Sequence, residues 1–229
     1  MINLKIPVGI SDFEKIRKNQ YYFVDKSGLI EELLNTESNE VTLITRPRRF
    51  GKTLGMSMLA SFFDIRRDSS ELFRGLKISQ KEELCQKWMN QYPVLFVTFK
   101  DVDGLDFQSA KEMLRIQIAD RCNEYLCLIS SEKVNENDKA IFRQLADVVK
   151  GDVSDAMLKT GIALIMRMLQ DYYEKPVILL LDEYDVPLAK ASAHGYYTEM
   201  LEVMRAMIST ALKDNPSLRF AVVTGCLRI

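Results

Sequence analysis

The stretch VTLITRPRRFGKT, residues 41–53, joins a β-branched apolar run to the triplet Gly51-Lys52-Thr53. A strand that ends in a short loop closing with G-K-[ST] is the second half of a phosphate-binding P-loop, G-x-x-x-x-G-K-[ST]. The spacing has a physical reason. The loop turns its backbone N–H groups toward phosphate oxygens, and the helix that follows presents its positive end at the same place. Lys52 is then placed to reach the β- and γ-phosphates, and the Thr53 hydroxyl to hold Mg²⁺. The position that usually carries the first glycine is Arg46, which the following Pro47 biases toward an extended backbone. Taken alone, the triplet is equally compatible with a glycine turn into a helix bearing a solvated lysine.

A second stretch changes that balance. Residues 176–185 read PVILLLDEYD, with five large aliphatic residues in a row and no alternation. Such a run predicts a strand buried on both faces, as at the centre of a parallel sheet. It ends in Asp182-Glu183, so two carboxylates fall at the carboxyl edge of the sheet, where open α/β folds bind ligands. Asp182 suits a Walker B residue that holds Mg²⁺, and Glu183 suits a general base for an attacking water. Two such motifs, in this order and each at a strand end, predict a P-loop NTPase: an α/β fold with three layers, α/β/α, and a mainly parallel sheet.

The 229 residues carry 31 Lys and Arg against 32 Asp and Glu, a net charge of -1, so charge offers no argument for nucleic-acid binding. Residues 1–9 are too short and too polar for a secretory signal, and Pro7 interrupts them. No apolar stretch reaches the ~20 residues that span a bilayer. Cys85, Cys122, Cys127 and Cys226 form no C-x-x-C pair, and the sole histidine, His194, has no cysteine nearby in sequence. Buried free thiols in a reducing cytoplasm are the expectation.

Along the chain, Ser11-Asp12 predicts a helix cap, and Ser27-Gly28 precedes a helix over 29–34. A helix over 53–64 follows the P-loop, and a strand over 94–99 is bounded by Pro93. An amphipathic helix is predicted over 106–129, with Phe107, Ala110, Leu114, Ile118, Cys122, Tyr125 and Ile129 on one face. The polar run 130–139 predicts a loop. Helices are expected over 140–149, 155–173 and 196–213, and a last strand over 219–224. The methionines of the last helix, Met200, Met204 and Met207, are read as core. One domain over 1–229 is expected, an N-terminal helical segment over 1–40 preceding a nucleotide-binding core over 41–229.

A complete strand and several helices separate the P-loop from the Walker B strand, and a Glu follows the Walker B Asp. This order resembles the additional-strand division of P-loop ATPases, in which the last strand lies between the other two. Thr224, at its tip, would then sit near the γ-phosphate and orient water; an ordinary β-branched strand residue is the alternative. The segments IPVGISDFEKIRKNQYYFVDKSGLI, LITRPRRFGKTLGMSML, LLLDEYDVPL and VVTGCLRI resemble the bacterial AAA-ATPase-like family, over about residues 6–229. Arg46 in place of the first glycine matches that family's pattern. The resemblance implies ATP and Mg²⁺ as ligands. It implies a site of Arg46, Pro47, Arg48, Arg49, Phe50, Gly51, Lys52, Thr53 and Leu54, with Asp182, Glu183 and Thr224, and it includes Asp185 and Arg228 without stating their roles. One of Arg46, Arg48 and Arg49 could serve as an internal arginine finger, or ion-pair with Asp25 or Asp185.

The resemblance also implies a further strand, a helical lid and often a PD-(D/E)-x-K nuclease-like domain beyond Ile229. Their absence from the sequence predicts a truncated domain whose P-loop strand lies at the sheet edge, with weak nucleotide binding and slow turnover. Mg²⁺-dependent ATP hydrolysis is the leading expectation. A non-hydrolysing regulatory module or an inactive remnant is the rival, and a small-molecule kinase is a further option. A homo-oligomer or protein partner is possible, a nucleic-acid partner rests on family analogy alone, and no membrane partner is expected.

Overall fold

Five aliphatic side chains, Val177 to Leu181, are each 0% exposed in β3 (Val177–Asp182), the inner strand predicted from their unbroken run. The computed structural model describes residues 5–35, 40–47, 50–149 and 153–226. Among them, β3 is one of four parallel strands, with β1 (Val41–Thr45), β2 (Val94–Thr98) and β4 (Leu218–Gly225), in the order β1-β4-β3-β2. Among the described residues, the last strand in sequence therefore lies between the P-loop strand and β3, as the resemblance to the additional-strand division implied.

Because neighbouring residues of a strand face opposite ways, β3 feeds two cores. Val177, Leu179 and Leu181 pack with Ala221 and Val223 of β4 toward α6 (Phe107–Glu124), α8 (Asp155–Tyr173) and α10 (Tyr197–Leu212). Ile178 and Leu180 pack with Val222 toward α1 (Phe13–Lys18), α2 (Gly28–Asn35), α3 (Lys52–Phe63) and the short helices α4 (Ser70–Phe73) and α5 (Glu82–Trp88). The result is the three-layer α/β/α arrangement. Each fully buried aliphatic side chain contributes about 1.5–3 kcal/mol. Met200, Met204 and Met207 are buried, as the core reading required.

The edge strand differs. β1 has no second neighbour among the described residues, and Val41 and Leu43 are each 41% exposed. Its outer side is the exposed apolar edge that the strand order predicted.

Local signals account for several helix starts. The Asp12 carboxylate accepts the Lys15 N–H at 3.0 Å and caps α1. Asp106 and Ser154 cap α6 and α8 in the same way. Two expectations need correction. The polar run 130–139 is not all loop: α7 (Glu136–Ala146) begins inside it, because Asn135 caps the Asn137 N–H at 2.8 Å. Asp138 then accepts two bonds from Arg167 of α8, both 2.7 Å, which ties the polar turn to the core. The amphipathic helix predicted to 129 ends at Glu124, and a 3₁₀ turn, Leu126–Ser130, completes the segment. A helix after the Walker B strand, α9 (Val186–His194), was not foreseen. No helix among the described residues is long and apolar enough to cross a membrane.

Candidate functional site

The strand order places three tips side by side at the carboxyl edge of the sheet. Ile44 is in register with Thr224, and Thr45 with Gly225, while Leu181, the residue before Asp182, is in register with Val223. The P-loop, Thr224 and the Asp182 carboxylate thus come from adjacent strands.

Gly51 sits at φ +76°, a left-handed conformation that costs glycine little and other residues more. It lets the loop turn directly into α3, of which it is the N-cap. The first intrahelical bond runs from Gly55 N–H to Gly51 O at 2.9 Å. The N–H groups of Lys52, Thr53 and Leu54 therefore have no intrahelical acceptor and face the loop with the positive end of the helix. Lys52 Nζ donates to Arg46 O at 2.8 Å, to Pro47 O at 3.2 Å and to Cys226 Sγ at 3.3 Å. The lysine lies inside its own loop, held by carbonyls that a phosphate oxygen can replace.

At the tip of β3, Asp182 is fully buried. The Thr224 hydroxyl donates to its Oδ1. Its Oδ2 is buried with no hydrogen-bond partner among the described residues. A buried carboxylate oxygen left unsatisfied costs free energy, and native structures rarely carry one without a function. Glu183, next in sequence, is at φ +55°, uncommon for a residue with a side chain. Its N–H points to Thr224 Oγ1 at 3.5 Å, and the Tyr184 N–H donates to Thr224 O at 3.2 Å. The tip of β4 therefore fixes the turn that carries both acids.

A cleft of about 900 Å³ opens beside this edge. Of the sequence-predicted residues it is lined by Arg46, Phe50, Gly51, Lys52 and Thr224; Pro47, Thr53, Leu54, Asp182 and Glu183 do not line it. Arg48, Arg49 and Arg228 lie outside the described residues. The cleft extends along the outer edge of β1 to Leu29 and Leu33 of α2, with Asp25, Lys26 and Glu32 on its polar side.

Sequence reasoning missed this second half. Lys26 Nζ lies 3.4 Å from Phe50 O, which puts another cation at the loop. Asp25, offered as an ion-pair partner for the loop arginines, accepts the N–H groups of Ser27 and Lys77, both at 2.8 Å. Burial alone would raise the Asp25 carboxyl, but the bonds from Ser27 and Lys77 outweigh it and hold it below its usual value. The signal available in the sequence was the pair Asp25-Lys26 just before a helix that precedes the P-loop strand; only the fold brings it to the loop.

The oxygen donors suit a hard cation such as Mg²⁺: one hydroxyl at the start of α3 and a buried carboxylate with an unsatisfied oxygen.

The model of the predicted AAA-ATPase family matches residues 7–229. A curated relative from Azotobacter chroococcum mcd 1, described as an uncharacterized protein in the vnfD 5' region, is 28% identical over 232 residues. That alignment covers 98% of this chain and 38% of the relative's length. No solved structure matches. With the family model spanning nearly the whole chain, the chain belongs to the predicted AAA-ATPase family.

Proposed function

We propose that this chain binds ATP with Mg²⁺ and hydrolyses its β–γ phosphoanhydride bond. The observation that carries the reading is the pairing of Thr224 with Asp182 one strand away from the P-loop, with the second Asp182 oxygen buried and unsatisfied.

In this account the loop N–H groups and the start of α3 cradle the phosphates. Lys52 leaves the carbonyls of Arg46 and Pro47 and takes phosphate oxygens in their place, and Arg46 adds charge at the loop's start. Thr53 and Asp182 would hold Mg²⁺, whose charge screens the terminal phosphates. Glu183 takes a proton from the attacking water as it adds to the γ-phosphorus. The Thr224 hydroxyl donates a hydrogen bond to Asp182 and accepts one from the Glu183 N–H, so it positions both acids. The soluble, non-membrane setting expected from the sequence, in the cytoplasm, fits such an ATPase.

Phosphate release with Mg²⁺ and ATP, compared between wild type and Glu183→Gln, tests this. The account expects turnover in the wild type and a fall of about 10²–10⁴-fold in the variant with ATP still bound. Equal rates in the two proteins would remove Glu183 as the base. Binding without release in both would leave a nucleotide-binding switch as the function.

A further inference from the structure

We propose that Asp185 is a positioning residue of the nucleotide site, clamping the tip of β4 so that the Walker B turn and the P-loop keep a fixed separation. The inference rests on the nucleotide reading above and adds a residue whose part in it was open.

An Asp directly before Val186-Pro187 would ordinarily be assigned to capping α9. Asp185 is the N-cap of that helix, yet its side chain makes no capping bond there. The residue is only 4% exposed, and a carboxylate withdrawn from water this far needs strong compensation. Part of it comes from across the site: the Cys226 N–H donates to Asp185 Oδ2 at 2.9 Å. The preceding residue fits the same contact. A Cβ on Gly225 would lie 2.8 Å from Asp185 Oδ1 and 2.6 Å from a Tyr184 ring carbon, so only glycine permits the approach.

The clamped backbone touches both ends of the P-loop. The Arg46 N–H donates to Gly225 O at 3.3 Å, at the start of the loop. Lys52, at its end, donates to Cys226 Sγ at 3.3 Å. One carboxylate on the Walker B turn therefore fixes the segment against which the loop and its lysine rest. Glu183, two residues before Asp185, is held to the same strand through Thr224. If Asp185 lets go, the tip of β4 is free to move relative to the loop. The lysine and the base then lose their common reference, while the loop's own N–H groups are unchanged. This predicts a loss in turnover larger than any loss in affinity.

The test uses Asp185→Ala and Asp185→Asn in the full chain, the amide retaining an acceptor oxygen. Hydrogen exchange at the Cys226 amide, measured without nucleotide, should rise about tenfold or more in the alanine variant and much less in the asparagine variant. In steady-state phosphate release, kcat should fall about tenfold or more in Asp185→Ala with KM for ATP nearly unchanged, and Asp185→Asn should recover most of it. Unchanged exchange at Cys226, or kcat and KM falling in step with the melting temperature, would overturn the proposal. Should Asp185→Ala not fold, Gly225→Ala disturbs the same contact and must show the same separation of kcat from KM. A wild type that turns over no ATP would refute the hydrolysis reading, and the exchange pattern would still decide whether Asp185 holds the tip.

Discussion

Thr224 and Asp182, at the tips of adjacent parallel strands, share one proton-donating bond that leaves Asp182 Oδ2 buried and unsatisfied. Much of the site's behaviour follows from that asymmetry: Oδ1 is used by the fold, and Oδ2 is kept for something else.

Replacing Thr224 with Val keeps the shape and removes the hydroxyl. Both Asp182 oxygens would then lack a donor, and the Glu183 N–H would lose its acceptor. Thermal unfolding should show a loss of about 1–3 kcal/mol, with the melting temperature falling about 2–4 °C per kcal/mol for a chain of this size. Thr224→Ser should restore most of it. A valine variant as stable as wild type would mean that the bond contributes nothing.

Asp182→Asn should act in the opposite direction on stability. A neutral amide in the same buried place removes the desolvation cost of a charge, so the nucleotide-free protein should gain about 1 kcal/mol. The same change should weaken Mg²⁺-dependent nucleotide binding. Denaturant unfolding and binding titrations measured side by side check the trade-off; a variant that is destabilised would contradict it.

The pH dependence has a predictable alkaline limb. Burial in the core pushes the Cys122 thiol from an ordinary value of 9.0 up to about 12. An acid whose folded value is raised contributes stability fully below its unfolded value and loses it as pH rises toward its folded value. From about pH 9 to 12 the unfolded chain releases this proton and the folded chain does not, so stability falls with pH. Cys122→Ala should lower stability at neutral pH by leaving a cavity, yet flatten this limb relative to wild type in urea unfolding at pH 7, 9 and 10. Parallel slopes would show that Cys122 ionises equally in both states.

What could be read from the sequence was what local chemistry determines. The unbroken Val177–Leu181 run announced a strand buried on both faces because no polar residue interrupts it. Gly51-Lys52-Thr53 announced a loop passing into a helix because the turn needs a left-handed residue there. The exposed edge of β1 followed from strand order, itself implied by family resemblance. What escaped depends on distant partners. Lys26 reaches the P-loop across 24 positions of sequence, and no periodicity marks it. Asp185 looks like a helix cap to any local rule, and only the return of β4 shows where its carboxylate goes. The polar run before α7 read as loop because its capping Asn135 and the Asp138–Arg167 pair cannot be distinguished from solvated residues without the facing helix.

The most direct test of the account is calorimetric titration of Mg²⁺-ATP into the wild-type chain and into Lys52→Ala. Lys52 is a loop side chain whose present partners, the carbonyls of Arg46 and Pro47, a phosphate would replace. The account predicts saturable binding by the wild type and a loss of about tenfold or more in affinity in the variant, from one charge-assisted contact removed. A folded wild-type chain that takes up no ATP, or a variant that binds it equally well, would contradict the assignment of this cleft to nucleotide.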